Sequence, residues 1–124
     1  MDRATELFEG THEVRVVYSY DVPVTMRGAH GIESVGLHEL TVNEEAMATK
    51  RAGGDPVRLA FELTKQSLAE INGQPVSLAD ATADRAWKTM PAKLRNSIVT
   101  EFTKLHTPTD EEMSAFTGSM KIKT

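Results

Sequence analysis

A chain of 124 residues with 40% hydrophobic and 26% charged residues has the composition of one folded domain, residues 1–124, large enough to bury a core. It has no cysteine, which excludes a disulfide framework, a thiol nucleophile and cysteine-ligated zinc. The formal charge of −4, from 14 basic and 18 acidic residues, weighs against nucleic-acid binding, where phosphate neutralisation supplies most of the affinity.

Residues 1–12 read as an N-terminal arm whose apolar content is the pair Leu7 and Phe8. They lack the apolar core of a signal peptide, and no segment approaches the ~20 apolar residues that cross a bilayer. A cytoplasmic protein is therefore expected. From Glu13 the pattern alternates. Val14, Val16, Tyr18 and Tyr20 share one face, with Glu13, Arg15, Val17 and Ser19 on the other, which predicts a strand over residues 13–25. Pro23 cannot donate to a ladder, so this strand should lie at an edge or end there. Gly28 and Gly31 mark a turn, and Val35–Leu40 supplies a second strand, most simply paired as an antiparallel hairpin.

The sequence then changes period. Thr41 and Glu44 have the spacing of a capping box, and the helix they open should end at Gly53-Gly54. Asp55 at N-cap and Pro56 at the first helical position restart the chain at once. Val57, Ala60, Phe61, Thr64, Leu68 and Ile71 form the expected buried stripe of this second helix, with Glu62, Lys65 and Glu70 outside it. Asn72-Gly73 suits a tight reversal that needs positive φ. Ser77 or Thr82 should cap a helix bearing Ala83, Ala86, Trp87 and Met90. Pro91 opens another, with Leu94, Ile98, Phe102 and Leu105 as its stripe. Thr109 and Glu112 repeat the capping box before a short helix with Met113 and Phe116, and residues 118–124 read as a tail. The expected fold is α+β, an N-terminal antiparallel β-hairpin or small sheet (residues 13–40) followed by a bundle of about five short helices (residues 41–117).

The chemistry-bearing residues do not assemble into a reaction centre. His12, His30, His38 and His106 show no metal-ligand spacing. Gly53-Gly54-Asp55-Pro56 lacks the Lys-Ser/Thr of a phosphate loop, and Asp55 would repel phosphate. No serine stands in a Gly-x-Ser-x-Gly elbow. The reading is no enzyme, no catalytic residue, no metal and no cofactor. A DNA-binding regulator built on the helices around Pro91, with Lys88, Lys93, Arg95 and Lys104 as its cations, is the rival that the net acidity disfavours.

Several runs carry a resemblance. They are Leu37-His-Glu-Leu-Thr-Val-Asn-Glu44, Lys50-Arg-Ala-Gly-Gly-Asp55, the helix through Leu68, and Ile71-Asn-Gly-Gln-Pro-Val76. Trp87 ahead of a helix ending Phe102-Thr-Lys-Leu105, and Pro108 with Phe116, complete the set. Over residues 35–117 this pattern of apolar spacing and turn residues resembles the tail assembly chaperones of tailed phages, particularly the small ones of contractile-tailed phages and related prophages. The resemblance implies a non-enzymatic protein that binds tape-measure, tail tube or baseplate proteins in the host cytoplasm during phage assembly, or alternatively a structural subunit resident in the virion tail or baseplate. The candidate partner-binding residues are Val14, Val16, Tyr18 and Tyr20 on the first strand, Trp87, and Met113 with Phe116 on the last helix. For Trp87, packing in the core is the competing expectation. Of the six methionines, Met47 and Met90 are expected in the core.

Overall fold

The helix starts written into the sequence set the middle of the chain. In the computed structural model, which describes residues 15–121, Thr41 caps α1 (Val42–Ala52) through a complete box. The Glu44 N–H donates to the Thr41 hydroxyl at 3.3 Å and the Thr41 N–H donates to the Glu44 carboxylate at 2.9 Å. Gly53 closes α1 at φ 59°, a left-handed conformation that costs a residue with a Cβ. The Asp55 carboxylate accepts the Val57 N–H at 3.0 Å and opens α2 (Pro56–Ser67).

Helical spacing predicts that α2 continues through Leu68 and Ile71, but it ends at Ser67. There the Ser67 carbonyl accepts the His38 N–H at 2.9 Å, and the Ser67 hydroxyl donates to the His38 carbonyl at 2.5 Å. These long-range bonds draw the backbone away from the helix ladder and into a sheet. The following residues form β3 (Leu68–Ile71), where the helix is expected to continue, and β4 (Gln74–Pro75), next to the expected reversal, so the region 41–117 expected as a helical bundle contributes two strands. The reversal between them uses Asn72 at φ 53° and Gly73 at φ 78°, as the Asn-Gly pair predicts.

The first half of the sheet is β1 (Tyr18–Asp21) and β2 (Ser34–Leu37). Both are shorter than the alternation suggests. Past Asp21 the chain turns through Pro23 into two short 3-10 turns, Val24–Met26 and Gly28–His30. Among the described residues the four strands form an antiparallel sheet in the order β1-β2-β3-β4, which leaves β1 on an edge and ending before Pro23, where an edge or a strand end is expected. Together with the five helices among the described residues this is an α+β fold.

Two contacts lock the sheet. Gly36 is buried in β2, and a Cβ there would lie 2.7 Å from Val17 Cγ1 and 3.0 Å from Glu70 Cβ, so only glycine lets these chains approach. The Asn72 side chain accepts the N–H groups of Glu33 (2.7 Å) and Ser34 (3.2 Å) and donates to the Gly31 carbonyl (2.9 Å), tying the β3–β4 reversal to the chain entering β2.

The remaining helices are α3 (Thr82–Thr89), α4 (Ala92–Leu105) and α5 (Asp110–Lys121). Neither Ser77 nor Thr82 caps α3. The N-cap is Ala81 at φ 66°, while the Thr82 hydroxyl accepts the Ser77 N–H at 2.9 Å within the preceding loop. Leu94, Ile98 and Phe102 of α4 pack with Val35, Leu37, Leu68, Ala83 and Met90 in one core, with Leu105 half-buried against it. α5 begins at the expected Thr109–Glu112 box and continues through Lys121, past the expected start of the tail.

The α2 stripe is rotated from its expected position. Val57 is exposed and Glu62 is buried. The helix packs against α1 on one side and against α3 and α4 on others, so its C-terminal half is enclosed and polar Glu62, Thr64, Gln66 and Ser67 are buried. Glu62 is tolerated because Lys65, itself held 3.0 Å from Asp84, ion-pairs with it at 3.1 Å.

Candidate functional site

The expected partner-binding residues divide three ways. The first strand carries Val16, Tyr18 and Tyr20, while Val14 lies outside the described residues. Val16 precedes β1 and is 65% exposed. Tyr18 stands opposite Leu37 and Tyr20 opposite Val35 in the ladder, so both tyrosines share the inner, core-bearing face of the sheet. Tyr18 is exposed at the rim, and Tyr20 is half-buried against the core. The period-two face therefore is not a free surface along its length, because its Tyr20 end is covered from within.

Trp87 is a correction to the partner-binding set. It is 6% exposed, its ring centroid lies 5.8 Å from that of Phe61, and it belongs to the core cluster, which leaves almost none of the indole for a partner. Met90 is buried as expected, whereas Met47 is exposed on α1. Met113 and Phe116 are the opposite case. They sit three residues apart on one side of α5, 47% and 63% exposed, behind the acidic first turn Asp110, Glu111 and Glu112.

The main-chain geometry of β1 adds a feature the side-chain pattern does not reveal. The Val22 N–H donates to the Glu33 carbonyl at 2.8 Å, while the Ser34 carbonyl turns to β3 and accepts the Asn72 N–H at 3.0 Å. In an antiparallel ladder the bonded residues alternate, so Tyr18 and Tyr20 direct their main-chain groups to β2, and Ser19 and Asp21 direct theirs to the open edge. Beside that edge runs a cleft of about 560 Å³ between β1 and α4. Tyr20, Met26, Leu37, Leu94 and Ile98 give it apolar walls, and Asp21 and Glu101 are its charged residues. Burial first, then the neighbouring Glu101 carboxylate and Tyr18, hold the Tyr20 phenol above its ordinary value of 10.0, so at neutral pH it is an uncharged hydroxyl.

A second cluster joins the N-terminal side of β1 to α1. Arg15 makes a bidentate pair with Glu44, with Nη2 3.1 Å from Oε2, and also donates to the Glu39 carbonyl at 3.2 Å. Burial raises the Glu44 carboxyl, but the Arg15 hydrogen bond, the Thr41 amide and the Arg15 charge outweigh it and leave the group below its ordinary value. His38 is buried here, and desolvation, opposed by its bond to the Glu39 carbonyl, lowers it with help from the Arg15 charge. His106 accepts the Leu40 N–H on Nε2 at 3.0 Å and stacks on Phe102, fastening the end of α4 to the chain entering α1. Each of these side chains has a positioning task that sequence spacing could not show, because Arg15 and Glu44 lie 29 residues apart and Leu40 and His106 lie 66 apart.

No group of three or more histidine, aspartate or glutamate side chains among the described residues is arranged to hold a metal ion. No helix among them is long and apolar enough to cross a membrane. Of the cations weighed for DNA, Lys88 pairs with Asp84 and Lys104 with Glu101, and Arg95 donates to the Met90 carbonyl at the turn before α4. The chain matches no protein-family model, no curated protein and no solved structure.

Proposed function

We propose that this chain is a phage tail morphogenesis protein, a non-enzymatic assembly chaperone that holds tape-measure, tail tube or baseplate proteins in the host cytoplasm before they are built into the tail. The observation that carries the reading is apolar side chain held out to solvent at two separate places, Val16 with Tyr18 beside the β1 edge and Met113 with Phe116 on α5. A holding protein needs such surface, divided into patches small enough to be tolerated in solution. The resemblance over residues 35–117 supplies the tail context.

The test compares purified mature particles with infected-cell lysate by quantitative mass spectrometry. The reading expects the chain in lysate, in complex with tail proteins, and not in particles. A fixed copy number in particles would instead make it a resident tail or baseplate subunit. Finding no tail protein with it in either sample would sink both versions.

A further inference from the structure

We infer that the cleft between β1 and α4 receives an extended segment of a partner protein, which adds as a strand to β1, places apolar side chains at alternate positions over the cleft, and brings a basic side chain to Asp21. The inference rests on the tail-assembly reading only for who the partner is. The recognition itself follows from the edge.

Three observations meet there. The outward main-chain groups of Ser19 and Asp21 have no hydrogen-bond partner among the described residues, so they can accept and supply the ladder bonds of an added strand. A strand laid against β1 would place its residues opposite Tyr18 and Tyr20 on the inner face of the sheet, where Leu94 and Ile98 line the cleft. Every second residue of the incoming segment therefore meets apolar wall, and the residues between them do not. A helix could not use this edge, because its own main-chain groups are already bonded internally.

Charge completes the description. Asp21 and Glu101 are both acidic; Glu101 shares an exposed ion pair with Lys104, whereas Asp21 has none among the described residues. A lysine or arginine flanking the apolar positions would complement Asp21, and an acidic residue there would be repelled. The net charge of −4 steers the same kind of partner.

The experiment selects a displayed library of random twelve-residue peptides against the full chain, with counter-selection on Ser19→Pro. That variant removes an edge-facing N–H but no bond to β2, and unchanged circular dichroism and thermal midpoint would show that it folds. Enriched peptides should show period-two apolar residues with Lys or Arg. A labelled enriched peptide should shift the amide resonances of Ser19 and Asp21, lose at least tenfold in affinity for Ser19→Pro, and lose severalfold for Asp21→Lys. No enrichment over the counter-selected chain, or enrichment at three-four spacing, would overturn the inference. So would concentration-dependent self-association abolished by Ser19→Pro, which assigns the edge to a second copy. A tenfold gain in peptide affinity on deleting residues 1–12 would likewise overturn it, by assigning the cleft to the chain's own N-terminal segment. Peptide binding without tail proteins in the lysate complexes would sustain the cleft and reject the tail reading; tail proteins captured equally by wild type and Ser19→Pro would do the reverse.

Discussion

The two ends of the described chain treat apolar residues in opposite ways. At β1 part of the pattern is consumed on each face. Tyr20 packs inward, Val17 fills the space over Gly36, and what remains for a partner is the exposed pair Val16 and Tyr18, a main-chain edge and the cleft beside it. At α5 the side chains Met113 and Phe116 are turned to solvent. A strand can be structural through its side chains and still available through its backbone, whereas a helix satisfies its backbone internally and can offer only side chains. The two places therefore suit different contacts, an extended segment at β1 and an apolar surface at α5.

The contrast can be broken most forcefully at the core. Trp87→Ala should cost about 3–5 kcal/mol, measured by urea unfolding, because the indole fills space against Phe61. A loss under ~1 kcal/mol would mean that Trp87 is a surface anchor after all. Gly36→Val should destabilise by about 1–3 kcal/mol, since its side chain must displace Val17 and Glu70. Retained stability would show that β1 is not held closely against β2.

Asn72 sharpens the comparison at the level of single bonds. Asn72→Gly keeps the positive φ but loses three side-chain hydrogen bonds, and Asn72→Ala loses both. Asn72→Ala should therefore be the less stable of the two by about 1 kcal/mol in denaturant titrations. Equal stability would discount the backbone requirement.

Acid should loosen the β1 side before α5. His38 is lowered from its ordinary 6.5 when folded, so the unfolded chain takes the proton first and stability falls as pH drops through 6.5 toward the folded value. Glu44 is lowered from 4.5, so its contribution is present above that value and is lost as pH falls through the folded one. Hydrogen exchange at pH 7 and pH 5.5 should show faster opening of β2 and the start of α1. His38→Gln should flatten the first part of that dependence, and an unchanged slope would remove His38 as its source.

The smallest expected effect on stability is at α5. Met113→Ser with Phe116→Ser should change the unfolding free energy by under about 0.5 kcal/mol, because both side chains are already exposed. The same pair should lower capture of tail proteins from lysate severalfold. Capture at wild-type levels would confine partner contact to β1.

Capping boxes, an aspartate before a proline, and glycines at positive φ act within a few residues, and for that reason α1, the start of α2, the β3–β4 reversal and the start of α5 were legible from Thr41, Asp55, Asn72 and Thr109 alone. The hydrophobic alternation around Tyr18 also announced a strand, and Pro23, which cannot donate to a ladder, marked an edge or an end there. Tertiary structure decided the rest. Ser67 ends a helix because His38, far away in sequence, competes for its backbone groups. Glu62 is buried because three helices enclose α2 and Lys65 compensates its charge. Trp87 and Met113 are both apolar residues on short helices, yet one is buried against Phe61 and the other is left about half exposed. Helix starts and turns are set by bonds between near neighbours, which a sequence states directly; burial and strand exchange depend on which distant segment arrives, and only the assembled fold decides that.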